Sequence, residues 1–375
     1  MKVLQVYKDY YPPINGGIEQ HINLLAHTLS HEGIQVEVLV CNRRNKTEVF
    51  NDGPIRVTKV ADLGRVLSSP VSPAFPGVLN RMRHNFDIIH FHFPNPMAEI
   101  SSLFGIRGQQ NAVVSYHSDI VRQKFLKPLY HGFMFKFLQR AQVILPTSDN
   151  YIQFSPVLKR FQQKCRVVPL GIDLNQFVYK PEETQEIENI RARYEKPIIL
   201  FIGKLRYYKG LPYLIEAMNK TDAVLVILGD GYLEKELKDQ VLQSDLNSKI
   251  FFAGKVSESE KVKYLHACTM LVLPSISPSE AFGIVQIEAQ ACKKPIIATE
   301  LGTGTSYVTK HEETGLIVPP RDTDALTNAM QQLINNPATA KLYGENGYLR
   351  AHQLFSKEQM VKSLIQVYQS VIDNN

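Results

Sequence analysis

The feature that most constrains this chain is an alternation that runs its length and starts twice. Short aliphatic and β-branched runs are separated by stretches whose apolar residues recur at helical spacing. Val3–Leu4–Gln5–Val6–Tyr7 comes first. A loop with Pro12–Pro13 and Gly16–Gly17 follows, then Ile18, Ile22, Leu25, Ala26 and Leu29 up to Gly33, then the run Val36 to Val40. Strand–helix–strand units of this kind build parallel sheets. Further strands are predicted at Phe86–Phe91, Ala112–Tyr116, Val143–Pro146 and Arg166–Val168.

The pattern restarts after residue 180. The acidic stretch Pro181 to Glu188 reads as a connector. Strands are then predicted at Pro197–Gly203, Ala223–Leu228, Ile250–Ala253, Met270–Pro274 and Pro295–Thr299. Helices at Leu211–Met218, Leu233–Leu242, Ser257–Ala267 and Ala281–Ala291 alternate with them, and beyond Gly315–Pro319 the chain reads as helical. The expected fold class is therefore α/β: two Rossmann-like parallel-sheet domains, 1–178 and 179–355, facing a central cleft. The 375 residues suit two domains of ~150–200 each. Ligands of open parallel sheets bind outside the carboxyl ends of the strands, so the informative residues should follow strands directly.

Composition excludes some classes. With 44% hydrophobic and 21% charged residues the chain has ample apolar surface to bury, which excludes disorder. No apolar run approaches the ~20 residues of a membrane span, and Met1 to Tyr7 reads as a strand rather than a secretion signal. Cys41, Cys165, Cys268 and Cys292 lie far apart, without a metal-ligand pair or a disulfide framework, which fits a reducing cytoplasm. Residues 1–180 hold 21 Lys and Arg against 12 Asp and Glu, residues 181–375 hold 21 against 24. A basic first half is expected to meet something anionic: a membrane surface, a phosphorylated substrate or nucleic acid.

Several clusters can carry chemistry, each with a plainer alternative. Gly16–Gly17 lets a backbone approach an anion at a helix start, or is simply a turn; it is not a Gly-x-Gly-x-x-Gly fingerprint, and no Walker A sequence occurs. His90 and His92 share one side of a strand, but no third metal ligand is near in sequence, so a structural, hydrogen-bonding role is expected. His117 in Tyr116–His117–Ser118–Asp119 follows a strand, as either a catalytic or a satisfied structural histidine. Lys204, Arg206 and Lys209, between Gly203 and Gly210, place three cations on one strand-to-helix loop, suited to phosphate or merely solvated. Glu280 and Glu288 flank Phe282–Gly283–Ile284; they can accept hydrogen bonds from sugar hydroxyls or act as a hydrolytic pair. Asp322–Thr323–Asp324 resembles a metal motif and reads better as a helix cap. Residues 122–140 are basic and aromatic (Lys124, Phe125, Lys127, Tyr130, Phe133, Phe135, Lys136, Phe137), an interfacial helix for anionic lipid or a buried helix with snorkelling lysines. No nucleic-acid-binding motif accompanies that charge.

Together these segments resemble glycosyltransferase family 4, retaining enzymes of the GT-B fold. The resemblance spans nearly the whole chain. It rests on Tyr10–Tyr11–Pro12–Pro13 with Gly16 to Glu19, on His90 to Pro96, on Tyr116 to Asp119, on Pro169 to Asp173, on Gly203 to Gly210, and above all on Glu280 to Ile284 with Glu288. The position after Gly203 is usually arginine in the family and is Lys204 here; asparagine is common where this chain has Leu170; and Gly302 to Ser306 replaces a glycine pair. The forms around His117 and Gly302 are most similar to bacterial mannosyl-type transferases of surface polysaccharide synthesis.

The resemblance implies a mechanism. Lys204 and Lys209, with Arg206, would hold the diphosphate of a GDP- or UDP-sugar donor, reinforced by the N–H groups of Phe282, Gly283 and Ile284, and by Gly16–Gly17. Glu288 would bind ribose, Glu280 the sugar hydroxyls, Lys255–Val256 would lie near the base, and His117 would contact the sugar near the reacting carbon. These cations would stand in for a metal, so none is required and no cofactor is expected. The acceptor would be a glycan or lipid-linked chain at the inner membrane face. Residues 356–375 would return to the first domain, Met360, Leu364, Val367 and Val371 inward, and the cleft would close about 174–190 and Leu354–Ser356. The alternatives are a GT-B sugar-nucleotide epimerase and a nucleotide-sugar-binding scaffold without catalysis.

Overall fold

The computed structural model of the chain describes residues 1–12, 16–66, 69–105, 111–119 and 127–374. It divides into two compact units, residues 1–171 with 357–375, and residues 172–356. The chain thus passes between units at Gly171–Ile172, not at 178, and again at Ser356–Lys357. Residues 172–178 go with the second unit for a physical reason. Ile172 N–H donates to Phe355 O (2.9 Å), and Phe177, buried, offers its carbonyl to His266 Nε2 (3.0 Å).

The first unit holds a seven-stranded sheet in the order Glu48–Asp52, Ile55–Val60, Gln35–Cys41, Lys2–Val6, Ile88–Phe93, Ala112–Tyr116, Val143–Pro146. Every neighbouring pair is parallel except the first, an antiparallel hairpin at the edge. Sequence periodicity missed that hairpin, although Gly53, at φ 58° in the first position of the two-residue loop Gly53–Pro54, is a hairpin turn signal. The run Arg166–Val168 forms no strand. Its amides bond to Ile144 O and Pro146 O (2.9 and 3.1 Å), alongside the edge strand, and Pro169 ends the run.

Strand alternation sorts this sheet into two faces. Leu4, Val6, Ile89, Phe91, Phe93 and Val114 go into one core cluster. Val3, Ile88 and Val113 go into another, with Ile22, Leu25 and Leu29 of helix Gly17–His31 and Met360, Leu364, Tyr368 and Val371 of helix Lys357–Asp373. The last helix therefore belongs to the first unit through its apolar stripe, with Val367 only partly buried.

The second unit holds a six-stranded, wholly parallel sheet in the order Ile250–Gly254, Val224–Leu228, Ile198–Ile202, Met270–Leu273, Ile296–Thr299, Gly315–Val318. The expected connector is structured: a 3-10 turn, Pro181–Glu183, leads into helix Thr184–Tyr194, which buries Ile187 and Ile190. The helix expected at Ala281–Ala291 begins only at Ile284. Gly283 sits at φ 77°, in the left-handed region, and so turns the chain into the helix instead of continuing it back.

Candidate active site

The second unit gathers its chemistry at the carboxyl ends of its strands, where the loops after Ile202, Leu228, Gly254 and Leu273 leave the sheet. Lys209 Nζ lies 2.6 Å from Glu280 Oε2, and both side chains are about nine-tenths buried. Ser275 Oγ donates to the same carboxylate oxygen (3.1 Å). Burial is the largest single influence and works against the Lys209 ammonium, but the charge and hydrogen bond of Glu280, together with Tyr208, outweigh it and hold the Lys209 pKa above its ordinary value. Two glycines allow this approach. Gly210, at φ 70°, lies so close to Pro274 O that a Cβ would overlap it, and a Cβ on Gly283 would come 2.7 Å from Leu273 Cδ2. The helix that Gly283 starts, Ile284–Ala291, begins shortly after Glu280 in sequence, and its first N–H groups lack intrahelical acceptors.

The other cations differ in kind. Lys204 is half exposed and pairs with Asp230 (2.5 Å) on the neighbouring strand-end loop. Arg206 and Lys255 are exposed and Val256 half-buried. Glu288, on the helix with its side chain 14% exposed, meets Lys261 Nζ at 2.9 Å; Lys261 also pairs with Glu258 at 2.6 Å. Burial raises the Glu288 pKa, and Lys261 only partly offsets that. Lys261 belongs to no motif, and the sequence signal that could have found it is weak: it lies on a helix opening with the capping box Ser257/Glu260. The loop Gly302 to Ser306 packs behind Glu280, Thr303 Oγ1 donating to Glu280 O (2.8 Å). Asp322 caps helix Thr323–Asn335 by accepting from Ala325 N–H (2.8 Å), as expected of a cap.

In the first unit, Gly16 precedes helix Gly17–His31 with an extended backbone, and the buried Glu19 carboxylate folds back on it. His117 follows strand Ala112–Tyr116 and is buried. Asp119 fixes the loop behind it, accepting from Tyr116 Oη (2.6 Å) and Ser155 Oγ (2.8 Å). His117 does not stand alone. Its Nε2 is 2.9 Å from His92 Nδ1, the two rings stack within 8° of parallel, and His21 stands edge-on to both. Ring nitrogens of His21, His92 and His117 lie within 4.8 Å of one another, so the fold supplies the ligands that His90–Phe91–His92 lacked in sequence. The facing nitrogens of His92 and His117 are nevertheless already joined to each other, and His90 bonds instead to Tyr368 Oη (2.6 Å) and Ser115 Oγ (2.8 Å). Burial lowers the pKa of all four histidines, His21 to about 4 and His90 to about 3, so they are neutral at pH 7.

A second feature was not legible in sequence. Asp9, just after the first strand, receives a bidentate pair from Arg65 (2.7 and 2.8 Å), its carboxylate buried. Of the basic aromatic segment 122–140, residues 122–126 and the Lys127 side chain lie outside the described residues. Helix Lys127–Arg140 turns Met134, Phe137 and Leu138 into the core with Tyr130 and Phe135 beside them, and leaves Lys136, Gln139 and Arg140 exposed. Tyr130, Phe135 and Phe137 are thus engaged in packing. No helix among the described residues is long and apolar enough to cross a membrane.

Two parallel-sheet units in tandem, with cations, carboxylates and a helix start collected at the strand ends of the second, define a class: a glycosyltransferase of the GT-B fold. Solved structures show the same fold over the whole chain, among them sucrose-phosphate synthase from Thermosynechococcus elongatus (22% identity, 100% of both chains, TM-score 0.84) and Anabaena HepE (19%, 99% of this chain and 100% of that one, TM-score 0.78). Within that class the chain belongs to glycosyltransferase family 4. The description "Glycosyltransferase Family 4" matches residues 15–176 and "Glycosyl transferases group 1" residues 182–350. The chain is 34% identical to the O-antigen chain mannosyltransferase C of Escherichia coli over 100% of both, and 36% identical to the D-rhamnosyltransferase WbpZ of Pseudomonas aeruginosa over 95% of this chain and 92% of that one. It is a hexosyltransferase similar to enzymes of bacterial surface polysaccharide synthesis.

Proposed function

We propose that the protein transfers mannose or a close relative from a GDP-sugar, with retention of configuration, to a lipid-linked glycan on the cytoplasmic face of a membrane. The observation that carries the reading is the buried Lys209–Glu280 pair beside the start of helix Ile284–Ala291. As the glycosidic bond breaks, negative charge grows on the departing diphosphate, and preorganised cations and amides stabilise charge best where water is excluded. Lys209 and Lys204, with Arg206, neutralise the diphosphate, and the amides of Phe282, Gly283 and Ile284 add hydrogen bonds. Glu280, held by Lys209 and Ser275, is oriented to accept from sugar hydroxyls, and Glu288 from ribose, with Lys255–Val256 toward the base. Gly16–Gly17 and His117 serve from the first unit, His117 at the sugar. The acceptor oxygen bonds to the anomeric carbon on the face the phosphate leaves, and its proton passes to the departing phosphate oxygen. No side chain becomes a covalent nucleophile, and these cations do the work a metal would do.

GDP is favoured over UDP by a 25% identical relative named as GDP-mannose-dependent, although HepE was solved with UDP. The exposed Lys136 and Arg140 suit anionic headgroups by charge alone. Thermal-shift measurements with GDP-, UDP-, dTDP- and ADP-sugars test the donor, since a ligand bound only to the folded form raises Tm with occupancy. A shift with GDP-mannose and none with the others is expected; a shift with UDP-sugars alone overturns the donor assignment. Product without added acceptor would instead indicate the epimerase.

A further inference from the structure

We propose that Gln5 and Tyr368 are positioning residues that fix which ring nitrogen of His117 carries its proton, through a hydrogen-bonded chain buried in the first unit. The inference rests on His117 addressing the donor sugar, as proposed above, and adds the residues that set its chemistry.

The chain follows from strand alternation. Gln5 pairs in register with His90, and His92 with Ser115, so Gln5, His90, His92 and Ser115 come to one face of the sheet, the face that helix Lys357–Asp373 covers with Tyr368. Four polar side chains on a buried face must satisfy one another. Gln5 Oε1 lies 2.7 Å from His92 Nε2, and Gln5 Nε2 donates to Tyr368 Oη (3.4 Å). A carboxamide oxygen only accepts, so His92 carries its proton on Nε2 and leaves Nδ1 bare. The bare Nδ1 then accepts from His117, which is protonated on Nε2 (2.9 Å). At the other end, the Tyr368 hydroxyl gives its one proton to His90 Nδ1 (2.6 Å), and His90 Nε2–H donates to Ser115 Oγ (2.8 Å). Each hydrogen bond along the chain then has one donor and one acceptor.

His117 is thereby left with a bare Nδ1, so its ring offers an acceptor to a sugar hydroxyl and no acid. Reversing the Gln5 amide would reverse each bond and move the His117 proton to Nδ1. Tyr368 ties the direction of Gln5 to that of His90 and Ser115, so the chain keeps one direction along its whole length or turns over as a unit. Gln5, His90, His92 and Tyr368 are wholly buried, so water cannot substitute for a lost partner.

The test is two-bond 1H–15N correlation spectroscopy of the 15N-histidine-labelled full chain, with kinetics beside it. In the wild type, His117 should be neutral and protonated on Nε2. Tyr368→Phe and Gln5→Met should give His117 a mixture of both tautomers and lower kcat roughly tenfold while the donor KM changes little, since the change is in positioning. If Gln5→Met does not fold, Tyr368→Phe, which removes one oxygen, carries the test. Protonation of His117 on Nδ1 in the wild type, or an unchanged tautomer in the folded variants, overturns the proposal. A changed tautomer with unchanged kcat supports the chain and overturns only the contact of His117 with the sugar.

Discussion

Lys261 Nζ sits 2.9 Å from Glu288 Oε1 and 2.6 Å from Glu258 Oε2, so a lysine outside every recognisable motif provides the counter-charge for a largely buried carboxylate. Removing one partner of a buried pair typically costs about 3–5 kcal/mol, because the other charge is stranded. Lys261→Met should therefore lower Tm by several degrees and drive Glu288 to its protonated form. Nucleotide affinity, measured by calorimetry, should fall with it. Wild-type affinity would show that Glu288 does not need its charge.

Lys209 and Glu280 should behave as one unit. Lys209→Ala and Glu280→Gln are each expected to lower turnover at least tenfold, equivalent to ~1.4 kcal/mol of barrier. The double variant should lose far less than the product of the two losses, because each single change already breaks the 2.6 Å pair. Full activity in both single variants would remove the assigned site.

Lys204 makes a useful contrast. It is half exposed and so is its partner Asp230. Exposed pairs contribute about 0–1 kcal/mol to stability. Lys204→Ala should leave Tm nearly unchanged and weaken donor binding in a salt-dependent way. A large loss of Tm would contradict an exposed, ligand-directed role.

Gly283→Ala tests the helix start. At φ 77°, with Leu273 Cδ2 and Gln286 Nε2 2.7 Å from where a Cβ would stand, alanine should destabilise the fold by roughly 1–3 kcal/mol and reduce diphosphate binding. An unchanged Tm would mean that the turn relaxes freely.

Glu99 should make the first unit's stability depend on pH. It is buried on helix Pro96–Gly105, accepts from Asn95 N–H (2.7 Å) and Tyr130 Oη, and burial raises its pKa to about 7. A carboxyl whose folded pKa is raised binds its proton more tightly folded than unfolded. The stabilising contribution is complete below the unfolded value near 4.5 and is lost as pH rises through about 7. Tm should fall between pH 5 and pH 8 in the wild type, and the fall should shrink in Glu99→Gln, which mimics the protonated acid. An equal fall in both would locate the dependence elsewhere.

Much of the fold is legible from local pattern. Alternating apolar runs and helical stripes predict both parallel sheets, and the predicted strands at Ala112–Tyr116 and Val143–Pro146 match their observed limits. The hairpin Glu48–Asp52 with Ile55–Val60 was missed because an edge hairpin buries only part of its surface and shows little periodicity. The late start of helix Ile284–Ala291 was missed because Ala281 and Phe282 have helix-compatible side chains, while the backbone is set by Gly283 and by close packing on Leu273.

The site divides in the same way. Lys204, Arg206, Lys209, Glu280 and Glu288 could be named from sequence because the loops after parallel strands come to one edge of the sheet whatever the details of packing. Which charges pair could not. Lys209 with Glu280, Lys261 with Glu288, and Arg65 with Asp9 are separated by 71, 27 and 56 residues. Sequence alone therefore determined the layers, the strand ends and the residue types available there, since these follow from short-range periodicity. Only the tertiary structure decided that Gln5, His92, His117 and Tyr368 form one chain, because hydrogen bonds act over about 3 Å and that proximity exists only once strands and the last helix have packed.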